Sequence, residues 1–362
     1  MRVLSSAVGF LVVLGTFVSV TQALVTPRAM RSKLPRIVRV LIRAPYRFVA
    51  DRMPTEQLKD RVLAPAAPVA MLFLLVIWLL LFLLGYGLLE HGVSGMPLTV
   101  ALREAGSSVL TLGFASVDRG QLTAVDFCAA ATGPIVIGLQ IGYLPTLYAA
   151  YARREAEVSL LRIRGGVPSW GPQLLARHAQ VDLVDTLPDL FRDWERWAAE
   201  VSESHTNHPG LIHFRSPSWE RNWLISLLAV LDAAALHLAF NPTAPQTQMR
   251  VTLRAGFNCL RDLAHEEGIA YDPDPLPDDP IELTYEEFLD GVVRMRERGV
   301  TMARDPEQAW PHFCGWRVNY EAVAYALAYR IDAVPAPWSG PRRRGGGPIE
   351  VPTPVDRKPA ES

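Results

Sequence analysis

With 362 residues the chain can hold two or three structural units. Its 36 basic and 37 acidic residues leave a net charge of −1, which removes any bulk attraction to nucleic acid. The 3 cysteines (Cys128, Cys259 and Cys314) are scattered and odd in number, which argues against a disulfide framework or a cysteine-rich zinc site.

Hydrophobic content is an ordinary 49%, but the long apolar runs crowd into the first 150 residues. Three of them reach the ~20 residues that a bilayer crossing needs. The first runs from about Val3 to Val25, and the second, AAPVAMLFLLVIWLLLFLLGYGLLE, from Ala66 to about Leu89. The third runs from about Leu122 to Tyr151 and carries only Asp126 near its start.

A cleaved secretory signal is the alternative for the first run, and charge decides against it. The linker from Thr26 to Val62 carries ten basic residues against three acids, and short loops of that kind stay cytoplasmic. The N-terminus is then outside, the loop from Glu90 to Gln121 is extracellular, and the third span returns inward at the basic flank RREAEVSLLRIR. Within the linker, Arg36, Arg39, Arg43 and Arg47 recur at helical spacing around Ile37, Val40 and Leu41. That pattern predicts a basic amphipathic helix on an anionic inner leaflet, with membrane lipids as its partner.

The extracellular loop opens with the turn-like HGVSG. Pro97 then starts a short helical segment, which Gly106 weakens, and Thr-Leu-Gly-Phe-Ala (Thr111 to Ala115) follows. Span, short helix, glycine-containing extended segment, span: this is the order of a re-entrant pore loop. Irregular backbone at membrane depth is tolerated only inside protein or along a water-filled cavity.

Residues 66–151 thus resemble the two-helix-plus-pore-loop unit of potassium channels, whose filter reads Thr-Val-Gly-Tyr-Gly and coordinates ions through backbone carbonyls. The run YAAYARREAEVSLLRIRGG is similar to the segment after the pore in bacterial members of that group. On this resemblance Thr111 matches the filter threonine, Leu112 the valine, Gly113 the first glycine and Phe114 the tyrosine. Ala115 stands where the family has its second glycine, and Ser116 where it often has aspartate. An alanine forced into the left-handed region there costs roughly 1–2 kcal/mol, and Phe114 lacks a hydroxyl to tie the loop to its surroundings.

In the third span, Gly133 and Pro134 mark a kink and, with Gly138, match the gating hinge of the family's inner helix. Gly138 to Gly142 also reads as a small-residue packing face. One loop per chain cannot enclose an axis, so the resemblance implies a homotetramer with a monovalent cation, potassium foremost, as the permeant ion.

After GGVPSWGP the pattern becomes that of packed helices. Leu190, Trp194, Trp197 and Val201 form a core-facing stripe. Asn222 to Phe240 is apolar enough to cross a membrane, but Asp232 near its middle would cost about 2.5–3.5 kcal/mol there. A buried helix is the better reading. A helix is expected over Gln246–Glu267, the capping box at Thr284 opens another through about Arg298, and the last covers Tyr320–Ile331. His205, His208 and His213 match no metal pattern, and no catalytic or nucleotide-binding fingerprint is present.

The sequence therefore predicts an all-α membrane protein: three transmembrane helices, a re-entrant pore loop between the second and third, and a cytoplasmic all-α domain. The expected divisions are 1–25 (first span), 26–64 (basic linker), 65–152 (pore domain, loop 97–117), 165–334 (cytoplasmic helical domain) and 335–362 (disordered tail). The predicted function is a plasma-membrane cation channel without enzyme activity, cofactor, bound metal or nucleic-acid partner. Its cytoplasmic half identifies no ligand. The competing reading is a non-conducting receptor or scaffold that keeps a degenerate pore region, with Ala115 as its best support.

Overall fold

The computed structural model describes residues 2–26, 33–115, 120, 122–243, 246–342 and 348–351. Among these every regular element is a helix, and the chain divides into two compact units, 1–52 with 62–149 and 53–61 with 150–362.

The first unit begins with α1 (Arg2–Leu24) and α2 (Lys33–Ala50). The short α3 (Glu56–Leu63) leads into α4 (Ala66–Ser94), followed by α5 (Leu98–Val109) and α6 (Thr123–Gly165). Helices α1, α4 and α6 are long and apolar enough to cross a membrane, and only 22–28% of their most apolar windows is buried inside the protein. They are the three runs predicted as spans. α1 and α4 meet closely at Gly9, where an added Cβ would lie 2.6 Å from the Gly85 carbonyl oxygen. Polar contacts fix the register: Trp78 donates from Nε1 to Ser19 Oγ (3.2 Å), and the Tyr86 and Thr132 hydroxyls pair at 2.8 Å.

The predicted amphipathic helix is α2. Ile37, Val40, Leu41, Phe48 and Val49 form an exposed apolar face, Arg36 is exposed beside it, and Arg39, Arg43 and Arg47 are half-buried at its flank.

α5 runs through Gly106, since an interior glycine costs only about 1 kcal/mol against alanine. α6 stays helical through Pro134 and Pro145 and extends fourteen residues beyond Tyr151, without an interruption at Gly133.

The second unit holds α7 (Gly171–Gln180), α8 (Leu187–Asn207), α9 (Trp223–Phe240), α10 (Thr247–Glu267), α11 (Tyr285–Arg296), α12 (Pro306–Arg317) and α13 (Glu321–Ile331). The stripe on α8 is buried as predicted, and Thr284 makes the predicted capping box with Glu287. α9 is the centre: every residue except His237 is buried, and 94% of its apolar window lies inside the protein. No lipid-facing surface remains on it. Asp232 is buried in this core, where its charge is offset by Arg317 and by the Tyr320 hydroxyl (2.7 Å). Arg317 also reaches Glu321 (2.7 Å), the Tyr325 hydroxyl (2.8 Å) and the Trp338 carbonyl (2.7 Å).

The tail expected to be disordered from residue 335 is partly packed. Ala336, Trp338 and Val351 are buried, and Arg342 binds the carbonyls of Ala333 (2.8 Å) and Val334 (3.1 Å). Burial lowers the Arg342 pKa to about 10. Proline and glycine composition concealed this strap because its order comes from one tryptophan and one arginine. Residues 343–347 and 352–362 lie outside the described set.

The short 3-10 turn at Pro209–His213 and the segment after it gather the second unit's outlying pieces. Arg154 on α6 donates to the carbonyls of Leu211 (2.9 Å) and Phe214 (2.8 Å), and the Tyr151 hydroxyl donates to that of Arg215 (3.1 Å). Arg215 in turn binds Asp60 on α3 and the carbonyls of Ile331 (3.1 Å) and Asp332 (2.9 Å).

His205 lies within this joint. Its Nε2 accepts from Arg154 (3.0 Å) and its Nδ1 meets Ser204 Oγ (3.0 Å), beside the Trp223 ring. Burial, and then the Arg154 charge, hold the His205 pKa well below the ordinary imidazole value. Below pH about 6.5 the unfolded chain therefore takes up a proton that the folded chain refuses. Stability of the second unit is expected to fall as pH drops from 7 to 5, and His205→Gln to remove part of that fall. Thermal melts of the full chain across this range check it. An unchanged slope in the variant would contradict it.

Candidate functional site

Backbone geometry sets the site. α5 ends at Val109, and its last turn folds over into the loop: Leu110 N–H donates to Gly106 O (3.1 Å) and Thr111 N–H to Ser108 O (3.0 Å). Ser107 then holds the segment from behind. Its carbonyl accepts from Leu112 N–H (2.8 Å), and its buried hydroxyl accepts from Ala115 N–H (3.1 Å). A serine two residues before a helix end carries no sequence signal for this role.

Two loop residues are left-handed, Thr111 at φ 54° and Gly113 at φ 68°. Glycine takes that conformation freely. For a β-branched threonine it costs of order 1–3 kcal/mol, and such strain gathers at functional sites. The strain expected at Ala115 is not found there, because Ala115 keeps an ordinary negative φ while bonded to Ser107. Ser116 lies outside the described residues.

The loop is uncovered in the single chain. Thr111 and Gly113 are exposed, and Leu112 and Phe114 are 59% and 57% exposed. The Arg103 guanidinium lies 5.4 Å from the Phe114 ring centre, a cation–π contact between α5 and the loop. Because the C-terminal end of α5 abuts the loop, its partial negative charge favours a cation there over an anion.

Behind the loop, Gly133 packs directly against the end of α5. A Cβ at Gly133 would lie 1.8 Å from the Val109 carbonyl oxygen. Gly138 meets nothing within 4 Å. The three residues grouped as a hinge are thus physically different: Gly133 is a packing contact, whereas Pro134 and Gly138 lie on an exposed face.

The sequence reading also passed over two carboxyl groups. Glu90 on α4 and Glu104 on α5 are both buried and lie within reach of each other's charge. Burying two carboxyl groups side by side is costly.

Of the histidines singled out in the sequence, His205 is partnered by Arg154 (3.0 Å) and His213 by Glu267 (3.1 Å). Among the described residues, no three His, Cys, Asp or Glu side chains are placed to hold a metal. No protein-family model, curated protein or solved structure matches the chain.

Proposed function

We propose that the chain is one subunit of a tetrameric cation channel of the plasma membrane, with Thr111–Leu112–Gly113–Phe114 as the ion-coordinating segment. The observation that carries this reading is the exposed loop at the exit of α5, left-handed at Thr111 and Gly113 and pinned by Ser107. Strain is retained there without a packing gain within the chain, and four such loops around an axis would supply rings of carbonyls. α4 and α6 frame the loop, and α6 lines the path.

The apolar face of α2 enters the inner leaflet while its arginines meet anionic headgroups. The second unit is cytoplasmic in this reading and regulates or assembles the pore. Potassium is the permeant ion expected from the threonine and glycine of the loop.

Potassium efflux from proteoliposomes tests the reading. Wild type is expected to release a loaded gradient at least tenfold faster than Gly113→Asp, whose carboxylate would trap the cation and obstruct the axis. Equal, background-level release from both proteins would favour the non-conducting receptor or scaffold, for which Ala115 in place of a second glycine is the supporting feature.

A further inference from the structure

From Leu11 to Gln22, α1 borders an open groove of about 390 Å³ within the first unit. Leu11 and Val18 of α1, Leu34 of α2 and Leu81 of α4 line it. Gly15 makes room for it, since a Cβ there would meet nothing within 4 Å. Two hydroxyls on its border are already engaged: Thr16 donates to the Val12 carbonyl (2.7 Å), and Ser19 accepts from the Trp78 indole (3.2 Å). What remains is an apolar trough with two further polar side chains, Gln22 and Lys33. Gln22 lies in the last turn of α1 and Lys33 opens α2, so both flank the passage into the basic linker. Lys33 is exposed.

The dimensions of the groove narrow its occupant. Eleven residues at 1.5 Å per residue span about 16 Å, half of the ~30 Å hydrocarbon core. The groove therefore reaches through one leaflet. Spread over that length, its volume is too narrow for a helix ~10 Å across, whereas an extended hydrocarbon chain fits. Charge then selects the headgroup. A lysine at a membrane surface lays its stem along apolar wall and lifts its ammonium to the level of the phosphates. Basic pockets between membrane helices on the cytoplasmic side recognise anionic headgroups in this way.

We propose that this groove binds one anionic phospholipid of the leaflet that faces the basic linker. One acyl chain lies along α1 over Gly15, and the headgroup phosphate meets the Lys33 ammonium, with the Gln22 amide donating beside it. The site is separate from the exposed face of α2, since Ile37, Val40 and Leu41 do not line it. A lipid so held ties the start of α2 to α1. The site rests on α1 and α4 crossing the membrane, and not on what the loop after α5 conducts.

Native mass spectrometry of the full chain in mild detergent tests it, with dioleoyl phosphatidylglycerol and dioleoyl phosphatidylcholine as the titrated lipids. Wild type is expected to retain one phosphatidylglycerol per chain, about fivefold more tightly than phosphatidylcholine, the effect of one basic residue at an anionic headgroup. Gly15→Phe, which fills the groove, is expected to lower retention of either lipid at least tenfold with helix content unchanged. Lys33→Gln is expected to abolish the preference for the anionic lipid while the acyl chain still binds. Arg61→Gln, the same charge change at an exposed residue of α3, is expected to alter neither. Equal retention by wild type and Gly15→Phe would overturn the site. So would an anionic preference that Lys33→Gln leaves intact, or that Arg61→Gln removes equally. Should Gly15→Phe fail to fold, the comparison of Lys33→Gln with Arg61→Gln decides alone. Dispersal of an oligomer by Gly15→Phe, with lipid retention unchanged, would assign the groove to a second copy of the chain and overturn the lipid site.

Discussion

Arg317→Ala is expected to destabilise the second unit by about 3–5 kcal/mol, the cost of leaving a buried charge without its partner. The guanidinium is fully buried and joins Asp232 of α9, Glu321 of α13 and the Trp338 carbonyl in one network. Removing it strands two carboxylates in an apolar core and releases the strap that ends near Arg342. Against a typical stability of 5–15 kcal/mol such a loss is a large fraction of the whole. Denaturant titration of the full chain measures it. The triple variant Arg317→Met, Asp232→Leu, Glu321→Leu is expected to recover part of the loss, because a neutral core needs no pairing. A midpoint within error of wild type for Arg317→Ala would show that the ionic network does not hold α9, α13 and the strap together.

Gly133→Ala is expected to damage the membrane half far more than Gly138→Ala. At Gly133 a methyl group meets backbone 1.8 Å away, at the Val109 carbonyl, which no side-chain rotation relieves. α5 must shift, carrying the candidate loop with it, at a cost of typically 1–3 kcal/mol or more. At Gly138 there is open space. The yield of monodisperse protein in detergent is the readout: a severalfold loss for Gly133→Ala and little change for Gly138→Ala. If both folded alike and only Gly133→Ala altered ion flux, Gly133 would be a moving part, as the resemblance to channel inner helices implied.

The parts that the sequence disclosed are those written in long-range patterns. Three apolar runs became α1, α4 and α6, four arginines at helical spacing became α2, and the box at Thr284 opened α11. A single internal charge distinguished α9 from a span, since Asp232 needed a buried partner and found one in Arg317. The missed features depend on contacts between distant residues. α12 went unread, with Pro311 inside it, and Trp338 gave no sign that it would anchor a proline-rich strap.

The candidate site divides in the same way. The position of the loop was legible from its flanks, whereas its left-handed residues were not. Strain was expected at Ala115, whereas the non-glycine residue of the loop in the left-handed region is Thr111.

The central claim, that Thr111 to Phe114 conducts cations, is tested most directly by planar-bilayer recording of the purified chain under a potassium chloride gradient. The account predicts discrete currents that reverse near the potassium equilibrium potential and vanish in Gly113→Asp. Silent bilayers at oligomer-competent protein levels, or currents unchanged by Gly113→Asp, would contradict it.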